Sequence, residues 1–156
     1  MIPRVVYDCM IYLQAATNEL GAAGECLRVA ELGRVELCVS PEVTAEVRDV
    51  LTRPKTLKKF RSLTPELLRK FFRRLAGCST VMATVPKVVT LQRDPKDEKY
   101  LNLAVAANAT AVVSRDNDLL DLMKTDDPDG VAFRAAHPTI NILDPAAFLA
   151  TLPTSG

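Results

Sequence analysis

The sequence predicts an α/β fold of three layers, α/β/α, with helices on both faces of a central, mainly parallel five-stranded sheet. Three observations carry this expectation. Short Val-rich runs such as "RVVYD", "RVELCVS" and "TAVVS" recur along the chain, apolar on both faces as strands of a covered parallel sheet are. Stretches with helical periodicity separate them. Acidic, Ser or Thr residues followed by proline mark where several of those helices begin.

The bulk properties bound the answer. The chain has 156 residues, 48% hydrophobic and 25% charged, enough for one domain over residues 1–156 with a real core. The formal net charge is +1, so any footprint of a polyanionic partner has to be local. Cys9, Cys26, Cys38 and Cys78 form no C-x-x-C pair and stand in apolar surroundings, which predicts buried free thiols in a reducing compartment. Arg4 and Asp8 interrupt the N-terminus too early for a signal-peptide apolar region, and no apolar run is long enough to span a bilayer. A cytoplasmic protein is expected.

Element by element, "RVVYD" is the first strand and Ala22 to Leu32 a crossover helix, with Cys26, Leu27, Val29, Ala30 and Leu32 as its apolar positions. "RVELCVS" is the second strand. Ser40 then caps a helix with Pro41 in its first turn, and Val43, Val47, Val50 and Leu51 form one stripe, with Glu42 and Glu46 one turn apart on another face. Arg53-Pro54 ends it. Thr64-Pro65 opens a helix whose Leu67, Leu68, Phe71, Phe72 and Leu75 make a broad apolar face, with Gly77 as its stop. "TVMATV" is the third strand. In "RDPKDEKYLNLAVAANATAVVSRDNDLLDL", Asp94 caps, Pro95 is the first helical residue, Asp97 falls at the third, and the helix feeds a fourth strand, "TAVVS". "TDDPDG" is a loop, "TINIL" the fifth strand, and Asp144-Pro145 caps the last helix.

The acidic residues point to a site. Asp8 closes a strand within the run "VVYDCMIYL", where neither a helix dipole nor a cap satisfies it, and a buried carboxylate without a partner is costly. Asp116 follows the fourth strand, and Asp97 opens the helix that feeds it. Ligands of open α/β sheets bind beyond the carboxyl ends of the strands, where Asp8 and Asp116 would stand. For Asp94, Asp97, Asp116 and Asp118 the competing explanation is helix capping, the better one for Asp94. For Glu42 and Glu46 it is a solvated helix face. Acids that converge repel one another, and a hard divalent cation is the remedy: Mg²⁺ or Mn²⁺, with oxygen ligands and phosphodiester hydrolysis as the matching chemistry.

From Val5 to about Leu152 the sequence resembles the PIN domain family, and within it the VapC-like toxins of bacterial toxin and antitoxin pairs. The carriers are the strand ending in Asp8, "SPEVTAEVRDVLTRP" with Glu46, "DPKDEKYLNLAVAANATAVVSRD" with Asp97 and Asp116, and the closing "INILDPAAFLATL". The resemblance implies a metal-dependent ribonuclease in which Asp8, Glu46, Asp97 and Asp116 hold Mg²⁺ or Mn²⁺. It further implies Ser114 near the metal, Asp118 supporting a helix start, an RNA substrate, a small antitoxin and a possible homodimer. Where the family often has Asn two residues after its first Asp, this chain has Met10. That departure keeps a second reading open, a catalytically weak or silent PIN module that binds RNA or a protein.

A basic arm runs from Arg53 to Arg74 with Glu66 as its one acid, and Lys55, Lys58, Lys59 and Arg61 are its candidate RNA contacts. Other classes find less support. His137, the only histidine, leaves no hydrolase triad and no His-rich zinc site. No phosphate-cradling glycine motif occurs. A haloacid-dehalogenase phosphatase needs a second Asp where Met10 stands, and a receiver domain needs a phosphoacceptor on a middle strand.

Overall fold

The computed structural model describes residues 2–124 and 126–154. Its five strands are β1 (Arg4–Tyr7), β2 (Glu36–Val39), β3 (Ser79–Val81), β4 (Ala111–Val113) and β5 (Asn141–Leu143). They form one sheet in the order β3-β2-β1-β4-β5, and every neighbouring pair is parallel. Val5 pairs with Leu37 on one side and Ala111 on the other, so β1 is central. The chain winds outward from β1 to β3, then crosses back to place β4 on the other side of β1. The strand order therefore reverses between β1 and β4, the position beyond whose carboxyl strand ends open α/β sheets bind their ligands.

The helices are α1 (Cys9–Thr17), α2 (Ala22–Glu31), α3 (Pro41–Thr52), α4 (Pro54–Lys59), α5 (Pro65–Cys78), α6 (Glu98–Ala107), α7 (Asn117–Leu120), α8 (Pro128–Ala136) and α9 (Pro145–Thr151). α6 packs across β1, β2 and β4, while α9 packs on β4 and β5 beside α2, completing the α/β/α layers. The core is continuous. Tyr7 donates its hydroxyl to the Cys26 carbonyl at 2.7 Å and has the rings of Tyr12 and Phe148 each 6.0 Å away, tying β1 to α2 and α9. Gly24 marks a close approach: a Cβ there would meet the Glu19 carbonyl oxygen at 2.2 Å, so only glycine lets α2 pass the α1–α2 turn.

The stripe Val43, Val47, Val50 and Leu51 on α3 is buried as its spacing predicts, and Ser40 caps Val43 N at 3.1 Å. Several boundaries differ from the sequence reading. The strand "RVVYD" ends at Tyr7, and after Asp8 the chain enters α1, a helix that the sequence reading does not assign. Pro54 ends α3 and also begins α4, with Arg53 as the shared cap. Gly77 does not stop α5, which runs on to Cys78, and of its apolar face Leu68, Phe71 and Leu75 are buried while Leu67 and Phe72 are only partly so. Leu32 falls outside α2 and is 61% exposed. Asn108 ends α6 in the left-handed conformation (φ 53°). The stretch expected as the loop "TDDPDG" supplies a helix: Asp127 caps Gly130 N and Pro128 takes the first position of α8, Thr125 lying outside the described residues. Cys26 and Cys38 are buried free thiols, whereas Cys9 and Cys78 are only partly covered.

Candidate metal centre

Asp8 stands where the strand order reverses. Its backbone N–H donates to the Val113 carbonyl at 3.1 Å, so the β1–β4 ladder fixes its position. Contrary to the sequence reading, Asp8 does cap a helix: Oδ1 accepts from Met10 N at 3.0 Å and Ile11 N at 3.2 Å. That cap leaves Oδ2, to which the fully buried Ser114 donates its hydroxyl. Ser114 Oγ in turn accepts from Asp116 N at 2.9 Å, so one side chain ties the end of β1 to the residue that begins the helix after β4. Asp116 caps α7 through Asp118 N at 2.9 Å.

Asp94 and Asp97 arrive by a different route. Between β3 and Pro95 the chain forms neither helix nor strand, so its amides need other partners. Side chains provide them. Buried Asn102 accepts from Val88 N at 2.9 Å and Val89 N at 2.8 Å; Glu98 accepts from Leu91 N at 2.8 Å; Asp129 accepts from Gln92 N at 3.0 Å and Arg93 N at 3.3 Å. Asp94 then caps a single 3-10 turn, Pro95–Asp97, accepting from Lys96 N at 3.1 Å. α6 continues from that turn.

This path brings one carboxylate oxygen each from Asp94, Asp97 and Asp116 within 4.8 Å of one another. Asp97 is the buried member, and its Oδ2 is shielded from solvent with no hydrogen-bond partner among the described residues. Burial, with the negative charges of Asp116, Asp94 and Asp8 added, pushes the Asp97 carboxyl up to about 7. Burial likewise raises Asp8; hydrogen bonds from Ser114, Ile11 and Met10 offset part of this, and Asp116 adds repulsion. A buried carboxylate with one orphaned oxygen, placed near two further carboxylates, is an unfavourable arrangement for a protein alone and a suitable one for a hard cation. The oxygen donor set fits a divalent metal.

Glu46 sits at the same rim in another role. Its Oε1 accepts from the Tyr100 hydroxyl and its Oε2 pairs with Lys99 Nζ, while Tyr100 also accepts from Cys9 N at 3.1 Å, next to Asp8. Burial would raise Glu46, but hydrogen bonds from Lys99, Tyr100 and Cys9 outweigh it and hold the carboxyl below its usual range. Glu46 is thus a paired carboxylate and is not among the three acids whose oxygens converge. The sequence reading assigned Asp94 mainly to capping; here it caps and also joins the acids. Lys99, Tyr100 and Asn102 were not singled out, and no spacing motif marks them.

The basic arm divides. Arg53 pairs with Asp49, Lys70 with Glu66, and Arg74 with Glu19 and Glu31, and so these belong to the fold's own ion pairs. Lys55, Lys58, Lys59 and Arg61 are exposed on and just after α4 and enter no ion pair among the described residues. Met10, in the first turn of α1, is 43% exposed beside Asp8. His137 closes α8, its ring 5.5 Å from that of Phe133.

Comparison with known proteins agrees with this architecture. No curated protein matches the chain. The PIN domain pattern matches residues 4–118, a span that contains Asp8, Glu46, Asp94, Asp97, Ser114 and Asp116. PIN domains are in general nucleases that use divalent metals. With the match covering most of its length, its all-parallel sheet and the acids gathered where the strand order reverses, the chain belongs to the PIN domain family.

Proposed function

We propose that the chain is a divalent-metal-dependent endoribonuclease and a VapC-like toxin component neutralised by a small antitoxin. One observation carries the nuclease reading: Asp97, whose buried Oδ2 has no hydrogen-bond partner among the described residues, brings a carboxylate oxygen within 4.8 Å of oxygens of Asp94 and Asp116, at the reversal point of a PIN-domain sheet. Asp97, Asp116 and Asp94 would hold Mg²⁺ or Mn²⁺, with Asp8 and Glu46 completing the acidic rim. When bound, such an ion activates a water and neutralises charge developing on the phosphate and the leaving oxygen.

The chain's own groups supply position and charge. Ser114 keeps an Asp8 oxygen and the Asp116 amide in fixed relation, so the carboxylates are set before substrate arrives. Lys99 neutralises Glu46 and lines a cleft of about 470 Å³ with Lys87, Lys96, Ser40 and Glu42, a path on which a phosphodiester backbone meets cationic side chains. Lys55, Lys58, Lys59 and Arg61 extend the cationic surface. Exposed Leu20 (99%) and Leu32 (61%) offer a protein partner, antitoxin or second copy, apolar footholds. Free thiols suit a cytoplasmic setting, and among the described residues no helix is long and apolar enough to cross a membrane.

The test is cleavage of single-stranded RNA, with the matching DNA strand in parallel, in Mn²⁺ or Mg²⁺. Asp97→Asn and Asp116→Asn are each expected to lower the rate by at least about a hundredfold, the scale of removing a group that stabilises transition-state charge. Full cutting by both variants would overturn the reading. RNA binding without cutting would favour the silent module, a reading that exposed Met10 in place of the family's Asn keeps in view.

A further inference from the structure

Asp94 closes a stretch from Met82 that neither a strand nor a helix holds, and Asp97 ends the 3-10 turn that follows it, yet both must meet Asp116 from the start of α7. Arg93 occupies the junction. Its Nε lies 2.7 Å from Asp118 Oδ1, its Nη1 2.9 Å from Asp121 Oδ2, and the same Nη1 3.8 Å from Asp127 Oδ1. Asp118 belongs to α7, Asp121 begins the 3-10 turn that follows it, and Asp127 caps α8. From the backbone side, Asp129 Oδ2 holds the amides of Gln92 and Arg93. The segment is thus gripped by its side chain and its backbone at the two residues that immediately precede Asp94.

We propose that Arg93 is a positioning residue for the metal centre, buckling the Asp94–Asp97 segment to the elements that carry Asp116. The proposal rests on the reading of Asp94, Asp97 and Asp116 as a divalent-metal site. The Arg93 side chain is 48% exposed, so each of its ion pairs adds little to global stability. Its use is geometric: a planar fork spans several carboxylates at once, which an ammonium cannot do. The sign of its effect separates this role from a purely electrostatic one. A cation near three acids opposes metal binding by Coulomb's law, so its removal tightens binding if charge alone matters. If Arg93 holds the ligands in place, its removal weakens binding.

The experiment titrates Mn²⁺ alone into the full chain, following free Mn²⁺ by electron paramagnetic resonance. Arg93→Ala is expected to weaken Mn²⁺ affinity about tenfold, as loss of a group that orients metal ligands does. Arg93→Lys, which keeps the charge but not the fork, is expected to fall between. Asp129→Ala frees the same backbone without touching the guanidinium and is expected to weaken binding too. Lys124→Ala, which removes a partner of Asp121 lying 2.9 Å away but leaves residues 92–94 held, is expected to retain wild-type affinity. Wild-type or tighter affinity in folded Arg93→Ala overturns the positioning role. Should that variant not fold, wild-type affinity in Asp129→Ala overturns it instead. If the wild-type chain itself binds no Mn²⁺, the metal reading falls and this role with it.

Discussion

At the scale of single residues, a side chain at this rim serves the fold and the site together, and for that reason the sequence reading misjudged some of them. Asp8 was singled out as an acid that no cap could satisfy, and it is a helix cap; the unusual part is its second oxygen, held by Ser114. Asp94 was assigned to capping, and it caps while also facing Asp97 and Asp116. Ser114→Ala leaves the Asp8 oxygen and the Asp116 amide without their shared partner in a fully buried place. We expect a loss of about 1–3 kcal/mol in urea unfolding and at least tenfold in RNA cleavage. An unchanged midpoint and rate would mean that water replaces the hydroxyl without cost. Asp97→Asn removes a frustrated charge: burial and three neighbouring acids hold this carboxyl at about 7. The metal-free variant is expected to be more stable than wild type at pH 8 by about 2 kcal/mol, and to lose the stabilisation that Mn²⁺ gives.

At the scale of elements, legibility followed how locally each one is determined. The α3 stripe and the Ser40-Pro41 and Thr64-Pro65 starts were readable because cap, proline and period all lie within a few residues. α1 was hidden because Tyr7 to Leu13 is almost uniformly apolar, so neither period stands out where strand passes into helix. α8 was hidden because Asp127, Pro128 and Gly130 also spell a turn; Gly130 is required by the close approach of α8 to the preceding 3-10 turn, where a Cβ would meet the Leu122 carbonyl oxygen at 2.4 Å. The expected third strand "TVMATV" stops at Val81, and the segment from Met82 to Asp94 carries no true local signal, since residues elsewhere, above all Asn102, satisfy its amides. Asn102→Ala is therefore expected to cost about 2 kcal/mol and to speed hydrogen exchange at Val88 and Val89 while β1 and β4 stay protected. On α4, charge reversal of Lys58 and Lys59 together with Arg61 is expected to weaken RNA binding and flatten its dependence on salt, measured by filter binding across a salt series. Unchanged affinity would assign those charges to solubility.

At the scale of the whole molecule, the acids come from points far apart in the chain, at residues 8, 46, 94, 97 and 116, and the strand order brings them to one rim. The sequence places Asp8 and Asp116 each at a strand end, and the crossing back to β4 beside β1 makes them neighbours. This convergence sets how stability depends on pH. Asp97 and Asp8 have folded values raised above the unfolded ones, so the folded chain binds more protons than the unfolded chain, and stability falls as pH rises from about 4 through about 7. Glu31, held below its usual range chiefly by the Arg74 guanidinium, acts in the opposite sense: its stabilisation is present above the unfolded value and is lost as pH falls through the folded one. In EDTA the melting temperature should therefore peak in mild acid and decline towards pH 8. Mn²⁺ at about a hundred times its dissociation constant adds about 2.7 kcal/mol, which for a chain of this size is on the order of 5–10 °C at pH 8. The gain should shrink near pH 5.5, where protons compete for Asp97. A thermal-shift grid of pH against Mn²⁺ reads both slopes, and a metal response that does not vary with pH would show that the raised carboxyls are not those that take the metal.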